Sequence, residues 1–196
     1  MRLLETVTGR LVNVADPDPK TINIDDIGWG LSRQARFCGQ TITEIAYNTA
    51  QHSLFVCAEA EKAIAGTIDG WENVPLYALL HDAAEAYTGD WPSPVKHLPS
   101  LKPIIDDIEN NLMDAIYISL KLDPPDKRMI DIVKHCDRLA QKIEAYQFMP
   151  SRGSHWEGLP EVSLEKLQQF QPPLDSLTSY KLFMTKFNEL YHSGDK

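Results

Sequence analysis

The chain has 196 residues, enough for one domain of ordinary size with a sizeable core. Its hydrophobic content of 43% and charged content of 24% are those of a globular chain, and no run approaches the ~18 apolar residues of a membrane span. A formal charge of −9 argues against non-specific binding to nucleic acid or anionic membranes, although a bound cation and a few Arg or Lys reverse the sign inside one pocket.

Residues 4–14, LETVTGRLVNV, alternate around Thr8-Gly9 and predict a small β-hairpin. The prolines at 17 and 19 cannot continue a strand, so residues 1–20 read as hairpin and linker. A first helix is expected from Asn23, a good N-cap, with Asp25 and Asp26 in its first turn and Ile24, Ile27 and Leu31 on its apolar face. Gly28 and Gly30 weaken it, and it should end near Phe37. A second helix begins at Thr49 and is stopped by Gly66. A third starts at Asn73, tolerates Pro75 in its first turn and runs through Tyr87, until the Gly- and Pro-rich residues 88–94 break it.

Two longer helices follow, over about 101–122 and 127–148, separated by Asp123-Pro124-Pro125. Residues 150–172 are rich in Pro, Gly and Ser and exceed ordinary connection lengths, so they read as a long loop with short turns. A last helix covers about 174–192. No internal repeat is visible, and the expectation is a single mainly α domain over 1–196.

The strongest chemical signal is His81-Asp82, flanked by LYALL and AA. An HD pair alone is no more than a helix-surface ion pair. Two further segments change its weight. His52 opens an apolar helix, and Asp137 sits among Ile132, Val133, Leu139, Ala140 and Ile143 of another. Buried ionisable groups need partners, and a shared metal satisfies several at once. Imidazole with carboxylate suits a divalent transition metal (Co, Mn, Zn, Fe or Ni), with or without additional Mg. Cys38, Cys57 and Cys136 form no CxxC pair and are expected to be buried or partly buried thiols; Cys136 reads as core filler ahead of a soft ligand. No GxxxxGK[ST] loop is present, which excludes P-loop nucleotide binding.

The order H…HD…D, with spacings of 29 and 55 residues, resembles the HD-domain phosphohydrolases. The strings AQHSLFV, LLHDAAEAYTGDWPSPVK, KHCDRLAQKIEA and INIDDIGWGLSRQARFCGQT are similar to a subgroup holding bacterial 5′-deoxynucleotidases and short phage relatives, some of them deoxyadenosine triphosphate hydrolases. The resemblance covers roughly residues 1–150. It implies a helical HD bundle with His52, His81, Asp82 and Asp137 as metal ligands. Glu85 and Asp90 would handle protons, Arg36 and Lys96 would face phosphate, and Phe37 and Trp91 would shape the base or sugar pocket. Phe37 stands where some deoxynucleotidases of the group carry tryptophan. His135 and His97 are read as surface groups, and His155, Trp156 and Glu157 as loop residues that either close over the pocket or tuck against the core.

The expected function is divalent-metal-dependent hydrolysis of 5′-(deoxy)nucleotides, as a triphosphohydrolase or a 5′-deoxynucleotidase. The alternatives are another phosphoester or pyrophosphate, or a non-catalytic nucleotide-sensing HD protein. The expected partner is a small nucleotide, with no nucleic acid and no membrane, in a homo-oligomer. MRLLETVTGR has no apolar run of signal-peptide length, so the expected location is the cytoplasm, that of the host if phage-encoded.

Overall fold

The computed structural model describes residues 3–66, 70–169 and 171–193. At the N-terminus, β1 (Leu4–Glu5) pairs antiparallel with β2 (Leu11–Val12), with Leu4 opposite Val12 and Glu5 opposite Leu11. Gly9 takes the left-handed turn position at φ 79°, as the Thr-Gly pair predicted. Buried Asp26 anchors the hairpin by accepting hydrogen bonds from Thr6 Oγ1 at 2.9 Å, Thr8 N at 2.9 Å and Thr8 Oγ1 at 2.8 Å.

Helix α1 (Ile24–Arg33) begins where expected, with the Asn23 side chain accepting from Asp25 N. It ends four residues before Phe37, which corrects the expected boundary. Gln34 and Ala35 turn extended because this backbone pairs with the start of the next helix. Arg36 N donates to Tyr47 O at 2.9 Å and Thr49 N to Gln34 O at 3.1 Å, flanking a bridge between Ala35 and Asn48. A tight turn over Arg36–Gly39 follows, in which Phe37 and Cys38 are left-handed at φ 55° and 53°. Cys38 is exposed, contrary to the buried or partly buried thiol expected there, while Cys57 and Cys136 are buried.

Helix α2 (Thr49–Ile64) matches its expected bounds. Helix α3 (Val74–Leu80) starts after Asn73, with Pro75 in its first turn, but Asn73 makes no capping bond. The expected continuous helix to Tyr87 is interrupted. Over residues 81–84 the ladder tightens to three-residue bonds, Ala83 N to Leu80 O and Glu85 N to Asp82 O, both 2.9 Å. Regular helix resumes as α4 (Glu85–Thr88), and Gly89 at φ 86° ends it. Short α5 (Ser93–Lys96) precedes α6 (Lys102–Ser119) and α7 (Lys127–Phe148), the last capped by Asp126. The expected loop 150–172 holds one short helix, α8 (Leu164–Leu167); its residue 170 lies outside the described residues. Helix α9 (Ser176–Ser193) closes the fold.

The core lies among α1, α2, α3, α6, α7 and α9 and includes Ile27, Leu31, Val56, Leu79, Leu80, Leu112, Ile116, Ile143 and Phe183. Among the described residues no helix is long and apolar enough to cross a membrane. The two glycines that weaken α1 let other helices approach it. A Cβ on Gly30 would stand 2.8 Å from Ala86 Cβ and 2.9 Å from its backbone; one on Gly28 would meet side-chain atoms of Met184 and Tyr180 at 3.1 Å. Gly30→Ala is expected to cost about 1–3 kcal/mol by forcing α4 away from α1, because backbone cannot yield as a side chain does. Gly28→Ala should cost less, since flexible Met184 can move. Urea unfolding of the two variants checks the order.

Candidate functional site

Four elements bring the candidate residues together. The bridge at Ala35–Asn48 sets Arg36 beside the start of α2. The first turn of α2 is held by the C-terminal segment: Asn48 Nδ2 donates to Ser179 Oγ at 2.9 Å and Leu174 O at 3.1 Å, while Gln51 bonds Pro172 O and Leu174 N. His52 follows in that turn and is fully buried. The tight turn after α3 presents His81 and Asp82, and α7 presents Asp137.

The two imidazoles are anchored in the same way. His52 Nδ1 meets Glu144 Oε1 at 2.7 Å, and His81 Nδ1 meets Ala78 O at 2.7 Å. An acceptor on Nδ1 holds a proton there and leaves Nε2 facing inward as the atom that can bind a metal in place of a proton. His52 Nε2 lies 3.2 Å from Asp137 Oδ1 and 3.5 Å from Asp82 Oδ2. His81 Nε2 lies 3.2 Å from Asp82 Oδ2 and 3.9 Å from Asp137 Oδ1. Both Nε2 atoms are buried and neither makes a hydrogen bond. His52, His81 and Asp137 each offer an atom within 4.8 Å of the others, a spacing that a single ion can bridge, and Asp82 stands against both imidazoles. Two imidazole nitrogens with carboxylate oxygens are a donor set for a transition metal.

The charges around the cluster favour a cation. Burial opposes a charge on His52, as does Arg36, yet Glu144 and Asp137 outweigh both and raise its pKa to about 10. Burial alone would raise Asp82; His81, His52 and Arg36 overcome it and hold the carboxyl well below the ordinary range. Glu85 goes the other way: burial first, then Asp82 and Asp90, push it up to about 9. Asp90 is also raised, chiefly by burial.

Arg36 is buried, with Nη1 3.6 Å from Asp82 Oδ2 and Nε 3.4 Å from Glu144 Oε2. Lys96 Nζ lies 2.8 Å from Glu109 Oε2 and 3.7 Å from Glu85 Oε1. Both expected phosphate contacts thus border the cluster, each against carboxylates.

Glu144 and Glu109 were not among the sequence candidates. Glu144 is 1% exposed and also accepts from Tyr47 Oη at 3.0 Å. It lies seven residues after Asp137, two helical turns along one face, between Ile143 and Ala145; that spacing was its signal. Gln141, one turn after Asp137, donates to both of its oxygens at 3.1 and 3.2 Å.

Other candidates fall outside the cluster. Phe37 packs edge-on against Trp156 with ring centroids 5.5 Å apart, so the long loop meets the Arg36 turn. Trp91 is 40% exposed and joins none of the ion pairs or ring contacts among the described residues. Cys136 is buried in the core, where burial pushes its thiol up to about 11, and it is absent from the ligand cluster. His97, His135, His155 and Glu157 are exposed.

A model of the YfbR-like 5′-deoxynucleotidase family matches residues 27–191. The chain belongs to this family. Among relatives, an uncharacterized protein of Rhodobacter capsulatus is 35% identical over 72% of this chain and 70% of its own length. YfdR of Escherichia coli is 27% identical over 97% of this chain and 96% of its own. The 5′-deoxynucleotidase YfbR of Salmonella paratyphi B is 25% identical over 70% and 74%. Among solved structures, the HD phosphohydrolase DatZ of cyanophage S-2L, bound to dA and one catalytic Zn2+ ion, is similar in fold at TM-score 0.54, with 22% identity over 88% of this chain and 98% of that one. The expected mainly helical HD fold holds, and family membership makes the chain a metal-dependent phosphohydrolase of nucleotides.

Glu144→Ala should destabilise the metal-free protein by about 3–5 kcal/mol, since it leaves Arg36 without a buried counter-charge and the Tyr47 hydroxyl without its acceptor. Glu109→Ala, at a half-buried pair, should cost no more than about 1 kcal/mol. Urea unfolding in chelator compares them.

Proposed function

We propose that this chain hydrolyses the phosphate ester of deoxynucleoside 5′-phosphates, using one divalent transition-metal ion held by His52, His81, Asp82 and Asp137. The observation that carries the reading is the pair of buried imidazoles, each with Nδ1 fixed to an acceptor and each with an unbonded Nε2 turned toward the same two carboxylates. When bound, such an ion lowers the pKa of water and draws charge from a phosphoryl oxygen.

The remaining steps belong to the chain's own side chains. Glu85 has a buried Oε2 with no hydrogen-bond partner and, with its pKa pushed up to about 9, carries the proton that the departing oxygen takes. Water oxygen bonds to phosphorus, the bond to the sugar O5′ breaks, and the departing oxygen takes a proton. Asp90, whose charge is felt by Glu85, is the second group assigned to proton handling and accepts the proton of the attacking water. Arg36 and Lys96 offset charge on the phosphate oxygens. Phe37, half-buried in the left-handed turn and braced by Trp156, supplies an aromatic face for the nucleoside. Trp91 forms the outer rim.

A panel of mono-, di- and triphosphates of the common bases, in both sugar forms and with Mn, Co, Zn and Mg, tests the reading. Release of inorganic phosphate from deoxynucleoside monophosphates is expected; tripolyphosphate released from triphosphates would replace nucleotidase by triphosphohydrolase action. His81→Ala should lose metal, measured by elemental analysis. Glu85→Gln should retain it and lose turnover by roughly 10²–10⁴-fold, as expected of a proton-transfer group. Metal loss on Glu85→Gln equal to that on His81→Ala would make Glu85 a ligand instead.

A further inference from the structure

Away from the cluster, Lys134, His135 and Arg138 follow one another along an outer face of α7. Together with Asp131, Gly158 and Pro160 they line a groove of about 410 Å³ between that helix and the long loop. Asp131, the one carboxylate in the lining, is already paired with Lys127 at 2.8 Å. Lys134 and Arg138 have no ion pair or hydrogen bond among the described residues. The groove therefore concentrates two unneutralised cations and an imidazole on a chain whose formal charge is −9.

The arginine is also placed. Gly158 is left-handed at φ 71°, and a Cβ built on it would stand 3.1 Å from Arg138 Nη2. The loop backbone comes this close to the guanidinium because no side chain intervenes. Arg138 follows Asp137, but adjacent helix positions project about 100° apart, so the groove and the metal cluster use different faces of α7. A planar guanidinium beside an ammonium matches the oxygens of a phosphate group, which takes charge-assisted bonds from both.

We propose that this groove is a second anion site, receiving a phosphate group of a nucleotide or of a free oligophosphate. Its volume admits a phosphate chain with an attached sugar at its open end. Because it lies outside the hydrolytic cluster, its occupancy does not depend on the function proposed above.

The test uses full-length protein carrying His81→Ala, which disables the metal cluster and leaves the groove untouched. The Gly158 amide is followed by NMR during titration with inorganic phosphate, tripolyphosphate and dATP. A saturable shift is expected that weakens with added salt. In the His81→Ala background, adding Lys134→Ala and Arg138→Ala together should weaken binding at least tenfold; both residues are exposed, so the fold should persist. Tighter binding of dATP than of tripolyphosphate assigns the site to nucleotides, and equal binding assigns it to oligophosphate. Absence of a saturable shift at Gly158, or a shift that the double replacement leaves unchanged, overturns the proposal.

Discussion

A single buried carboxylate organises the candidate site. Glu144 accepts from His52 and Tyr47 through one oxygen and faces Arg36 through the other, so α7 is tied through one side chain to residues more than 90 positions earlier in the chain. Its burial would ordinarily favour the neutral acid. His52 and Arg36 reverse that and hold it below the ordinary carboxylate range. The charge so retained fixes the His52 tautomer and keeps its other nitrogen turned inward. The geometry of the candidate metal site therefore depends on a residue that is not itself among the proposed ligands.

The rest of the fold serves to keep these segments in register. Close approach of α4 to Gly30 sets the helix that carries Glu85. The bridge at Ala35–Asn48 fixes Arg36, and the three-residue bonds at 81–84 change the pitch just where His81 and Asp82 emerge. The last two devices depart from regular helix, and all three lie within a few residues of a candidate functional side chain. Departures of this kind are sustained by packing around them, here by the buried apolar residues of α2, α3 and α7.

Much of this was legible in the sequence for identifiable reasons. His52, His81, Asp82 and Asp137 stand out because ionisable groups interrupt apolar helical runs, and helix α7 is bounded by a clear cap at Asp126 and a Pro-rich approach. The break after Leu80 was not legible, because LYALLHDAAEAY contains only residues that tolerate a continuous helix; tertiary demands override that preference. The left-handed Phe37 and Cys38 were hidden for the same reason, since neither is a residue type that signals such a backbone. Glu144 shares a face with Asp137, but its burial rests on partners at Tyr47 and Arg36 about a hundred residues earlier, which no local pattern announces.

The clamp between Asn48, Gln51 and residues 172–179 joins positions more than 120 apart in the chain. During synthesis the first turn of α2 emerges long before the segment that secures it. His52 thus waits for more than 120 further residues before its surroundings are complete. Contacts of such long separation are formed late, because closing the intervening chain costs entropy before the contact repays it. A nascent chain halted before residue 172 would carry the histidines and aspartates of the cluster but lack the strap that seats α2. Competence for hydrolysis is in this way acquired only once residues 172–179 have been made.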